Sequence, residues 1–129
     1  PMFNAIESNL TKAGLGVFIL AGAIYAFKLS VNPAEFVAAT GLHEATTTLI
    51  RNLGFVYLSL AIGTLLLMIK GLKNQLPLIA VLVVFGTLDV VHGWMNLLDS
   101  PEVDRTGRIV ETIAVACLFI GLYNSRNEI

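Results

Sequence analysis

A chain of 129 residues has the length of one domain, but only 13% of it is charged against 56% apolar, with a mean hydropathy of +0.79; a soluble domain of this size carries roughly 25% charged residues. Leaving the surplus apolar surface in water would cost about 25 cal/mol per Å², so residues 1–129 are expected to form a single all-α integral membrane domain, a four-transmembrane-helix antiparallel bundle. A net charge of −1 with no run of Lys or Arg excludes a nucleic-acid surface, and the lone Cys117, inside an apolar stretch, excludes an internal disulfide.

In chain order, Ala13 to Val31 is the first span, interrupted only by Lys28, which sits close enough to the end to snorkel. Ala21-Gly22-Ala23, the nearest approach to a leader cleavage site, falls inside the apolar stretch, so this segment is expected as a retained helix. Asn32-Pro33-Ala34-Glu35 reads as a loop and helix start, with Pro33 suited to a first turn, and Phe36 to Leu42 as a short connector, helical or re-entrant. The polar prelude His43 to Arg51 contains no Pro or Gly, so one continuous helix from about Leu42 to Lys70 is expected, with its apolar centre at Leu53 to Ile69.

The short turn Lys70 to Gln75 makes the next helix an antiparallel neighbour; that third span runs from Leu76 to Met95, with Pro77 in its first turn and Trp94 at interface depth. Leu97 to Thr106 is the outer loop, carrying Asp99, Glu102, Asp104 and Arg105. The fourth span, Ile109 to Tyr123, is the weakest and must borrow Arg105 to Arg108 to reach the ~20 residues a crossing needs. Otherwise it would lie as an amphipathic helix against the other three. Lys12, Lys70, Lys73 and Arg126 at one end, against Lys28, Arg105 and Arg108 at the other, favour a multi-pass protein with both termini cytoplasmic.

Setting Ile69 opposite Pro77 across the turn brings Arg51 level with Trp94 and Met95, with Asp89 and His92 within about 9 Å of that level. The candidate site is therefore His43, Glu44, Arg51, Asp89, His92, Asn96, Arg108 and Glu111. Asp89 is the most informative of them, because an ionised Asp near the bilayer centre costs about 2.5–3.5 kcal/mol on insertion scales and must face protein, water or a cation. His92 and Asn96 extend its helical face, and Arg51 is the expected counter-ion of Asp89 or Glu111. These groups hold the helices in register or line a pocket. In a pocket, Asp89, His92 and Glu111 would be acid and base, and His43, Glu44, Arg51, Asn96 and Arg108 would contact a lipid or lipophilic small molecule.

A divalent metal or a haem held by the two histidines is the lesser alternative, since His43-Glu44 and Asp89-x-x-His92 match no strong ligand spacing; no metal or cofactor is assigned. A phosphate loop, a serine elbow and a reactive-cysteine context are all missing from the sequence. The threonines Thr46, Thr47 and Thr48 and the Gly22-x-x-x-Ala26 pair read as helix-contact residues, the latter within the bundle or in a homo-oligomer, and Tyr25, Tyr57 and Tyr123 as packing or interface residues.

Asn32-Pro33-Ala34-Glu35-Phe36, Thr40-Gly41-Leu42, Ile50-Arg51-Asn52-Leu53-Gly54 and Leu88-Asp89-Val90-Val91-His92-Gly93 together resemble the small four-helix membrane proteins of the DoxX-like kind. That resemblance implies a bundle in which an Arg and an Asp face one another, and it implies no particular reaction. Three functions follow as expectations: a binding or accessory protein for a lipophilic molecule, a membrane-embedded isomerase, cyclase or hydrolase, or a transport subunit.

Overall fold

The computed structural model describes residues 3–99 and 105–129, the side chains at 40 and 97–99 excepted. Four long helices, α1 (Asn9–Val31), α3 (Thr47–Lys70), α4 (Leu76–Asp99) and α5 (Arg105–Asn124), are long and apolar enough to cross a membrane; a short helix, α2 (Pro33–Thr40), follows α1. The chain is by length and composition a multi-pass membrane protein. Leu20, Ile24, Phe27, Leu49, Leu58, Leu88 and Ile120 are all exposed, an apolar skin that only lipid covers without cost.

Several helix boundaries have a local cause. Ser8 caps α1, its Oγ accepting the Thr11 amide at 3.2 Å, which starts the helix four residues before the apolar run. Asn32 caps α2 in the same way and Pro33 occupies its first turn. Gly41, at φ +74°, closes α2 with the two backbone bonds of a Schellman motif, Gly41 to Ala38 and Leu42 to Val37. The expected continuous helix from Leu42 is thereby corrected: the chain reverses at Gly41, passes through a 3₁₀ turn at Glu44–Thr46, and becomes α-helical at Thr47. The fourth span does borrow Arg105 to Arg108, and its 20 residues give the ~30 Å of a full crossing. The third span continues past Met95 to Asp99; Glu102 and Asp104 of the outer loop lie outside the described residues.

Around the bundle the order is α3, α1, α5, α4, with α1 packed on both α3 and α5, and α4 resting mainly on α5. Small residues set the closest approaches. A β-carbon on Gly22 would lie 3.5 Å from Ala61 Cβ, so the Gly22 and Ala26 pair serves the α1–α3 contact inside the protomer. Gly14 packs against the Cys117 carbonyl where α1 meets α5, and Thr11 Oγ1 donates to the Gly121 carbonyl at 2.7 Å. Leu15, Leu67, Leu72, Leu82, Leu118 and Ile6 fill the core near the terminal end of the bundle, leaving the opposite half to the polar residues.

Candidate functional site

Every spanning helix contributes to one interior cluster. Asp89 lies 13 residues into α4, about 20 Å along its axis, and Tyr57 of α3 donates a hydrogen bond from its hydroxyl to Asp89 Oδ1 at 2.7 Å. The Tyr57 ring stacks on Tyr25 of α1, centroids 5.8 Å apart, and meets Phe85 of α4 edge-on at 5.7 Å. Tyr25 in turn donates to the Gly107 carbonyl of α5 at 3.2 Å. At the next residue of α5, Arg108 Nη2 pairs with Glu111 Oε1 one turn on at 3.0 Å, the two side chains only 19% and 8% exposed.

The ion pair is incompletely satisfied. Among the described residues Arg108 Nε and Glu111 Oε2 are both buried without a hydrogen-bond partner, and an orphaned buried polar group costs about 1–3 kcal/mol. Gly93 of α4 makes room for the pair: a β-carbon there would lie 2.6 Å from Arg108 Nη1 and 3.2 Å from Glu111 Oε2. Trp94 Nε1 donates to Thr112 Oγ1 at 2.8 Å just beside it, tying α4 to α5 at this level.

Two voids adjoin the cluster. A cavity of about 30 Å³ in the bundle centre is bordered by Tyr25, Tyr57, Phe85, Asp89 and Glu111, with Phe18, Leu60 and Val115 as its apolar wall. A groove of about 550 Å³ runs between α1, α2 and α5, walled by Ile24, Phe27, Val31, Phe36 and Val110, with Lys28, Glu35 and Arg108 along it. Ala21 and Tyr25 line both voids, so little more than one side-chain layer divides them. Arg108 faces the groove and Glu111 the cavity.

Of the residues singled out from the sequence, Asp89, Arg108 and Glu111 are brought together. Arg51 is not: it is exposed one turn into α3 and makes no ion pair or hydrogen bond among the described residues, so the Arg–Asp facing pair expected from the resemblance is not seen there. The register is as expected, but α-helical side chains lean toward the N-terminus, which carries a residue this near the start of α3 outward. Asp89 lies about 9 Å deeper.

His43 is exposed, and its Nδ1 accepts the Ala45 amide at 3.0 Å, which caps the 3₁₀ turn. Glu44 is exposed in that turn, His92 is exposed one turn beyond Asp89, Asn96 is half-buried, and none of the three borders either void. Thr46 and Thr47 bond to carbonyls three residues back instead of to another helix, a local alternative always open to Thr near a helix start. Tyr25 and Tyr57 are the site residues the sequence reading passed over. The signal was present, since the register that sets Ile69 opposite Pro77 also sets Tyr57 opposite Asp89.

Among the described residues no group of three or more His, Cys, Asp and Glu is placed to hold a metal ion. No family model, curated protein or solved structure matches this chain.

Proposed function

We propose that this chain is a membrane-embedded binding protein for a lipophilic molecule with a polar head, the tail lying in the groove between α1, α2 and α5 and the head reaching the Asp89, Arg108 and Glu111 cluster. The observation that carries this reading is the pair of orphaned atoms: Arg108 Nε, on a residue that lines a groove large enough for a small amphiphile, and Glu111 Oε2, on a residue that lines the small cavity next to it. The 550 Å³ groove falls in the range of roughly 300–1,000 Å³ typical of small-molecule sites, and its mostly apolar wall broken by a few convergent polar groups is their usual lining. A purely structural ion pair would gain nothing from an adjoining void, and insertion costs alone would select against carboxyl groups in oily helices.

The Tyr57–Asp89 hydrogen bond favours a second reading, in which the same cavity performs acid–base chemistry on the bound molecule with Asp89 and Glu111 as the proton-transferring groups. Conversion of the retained molecule to a new mass on incubation would distinguish this from binding alone.

Native mass spectrometry of protein extracted with its surrounding lipid tests the binding reading. The wild type is expected to hold one lipophilic molecule per chain through activation energies that strip bulk lipid. Ala21→Phe, which adds bulk at a position lining both voids, is expected to lose it. Bare protein in every preparation, or equal retention by both forms, contradicts the reading.

A further inference from the structure

With Asp89 and Glu111 both ionised, the buried cluster carries an excess of negative charge. Asp89 and Glu111 both feel the Arg108 guanidinium, which among the described residues is the one Lys or Arg side chain at this end of the bundle that is largely buried. Arg51, Lys28 and Arg105 are exposed, and so is His92, one turn from Asp89. Arg108 is moreover already engaged with Glu111 Oε1, and Asp89 has only the neutral Tyr57 hydroxyl as its hydrogen-bond donor. An unbalanced charge of this kind in a low-dielectric interior is expensive.

The cavity those carboxyl groups border has the shape of an answer. Its volume of about 30 Å³ is enough for a small head group such as one heavy atom with its hydrogens. Glu111 is more than nine-tenths buried and offers a free acceptor in Oε2. Tyr25, Tyr57 and Phe85 also line the cavity, and aromatic rings attract cations.

Resting on the binding reading above, we propose that the head group received by this cavity is a primary ammonium carried on a lipophilic chain. Its three N–H donors match Glu111, Asp89 and an aromatic face, and its charge balances the two carboxylates against Arg108. An anionic head would find its donors only along the groove, where Lys28 is exposed, Glu35 adds a like charge and Arg108 offers Nε alone, its Nη2 being held by Glu111.

Three probes of equal chain length, octylamine, octanol and octanoate, separate the possibilities when titrated onto the full chain in nanodiscs of zwitterionic phospholipid, with empty nanodiscs subtracted. Octylamine is expected to bind one per chain and about tenfold or more tighter than octanol, with octanoate weakest. The near-isosteric variants Glu111→Gln and Asp89→Asn are each expected to erase that preference; should either fail to fold, the wild-type ranking alone decides. Octanol or octanoate binding as tightly as octylamine overturns the cationic head and leaves the binding reading standing. No saturable binding of any probe overturns both.

Discussion

Gly93 is the position where one hydrogen atom in place of a methyl group decides the site. Arg108 passes directly beneath it, with Nη1 2.6 Å and Cδ 2.9 Å from where a β-carbon would stand, so Gly93→Ala must push the guanidinium away from Glu111. Overpacking of this kind costs about 1–3 kcal/mol, and thermal unfolding in bicelles should show Gly93→Ala less stable than wild type by that amount. A variant as stable as wild type would mean that Arg108 is not lodged there. At this scale the sequence marked the carboxyl groups well, because an Asp or Glu in an oily helix has few reasons to exist. It marked their partners poorly. Tyr57 is unremarkable in a membrane helix until its level is matched to that of Asp89, and Arg51 has the right level with the wrong direction.

Helix contacts in lipid depend on how closely backbones approach, since there is no solvent to expel. At Gly54 the α1–α3 crossing is tight: an added β-carbon would collide with Ser30 Oγ and lie 2.9 Å from Leu29 Cβ. Gly16, two turns into α1, has nothing within 4 Å. Gly54→Leu should therefore destabilise by at least about 2 kcal/mol, whereas Gly16→Ala should be neutral or slightly stabilising, because Ala exceeds Gly in helix propensity by roughly 1 kcal/mol. Equal effects in a chemical-denaturation assay would show the crossing to be misplaced. The existence and approximate length of all four spans were legible from hydropathy. Their ends were less so, because Ser8, Gly41 and His43 set boundaries through hydrogen bonds that hydropathy does not register. The inward faces were hidden too, since helices apolar all round carry little amphipathic signal to separate core from lipid.

Taken whole, the molecule is a bundle with a dry leucine-rich half near its termini and a polar half at the other end. Counting Arg51 with the end where it lies exposed makes the basic residues four at each end, Lys12, Lys70, Lys73 and Arg126 against Lys28, Arg51, Arg105 and Arg108, so the charge rule no longer chooses a side. What antiparallel topology did convey was the gathering of Asp89, Arg108 and Glu111 at one level, and every functional statement depends on that gathering being an interior one. A double-mutant cycle on Tyr57→Phe and Asp89→Ala, scored by unfolding in bicelles, measures it directly. Contact between the two side chains predicts a coupling energy of about 0.5–1.5 kcal/mol, in the span found for polar contacts inside membrane proteins; strictly additive effects would place Tyr57 and Asp89 apart and contradict the account.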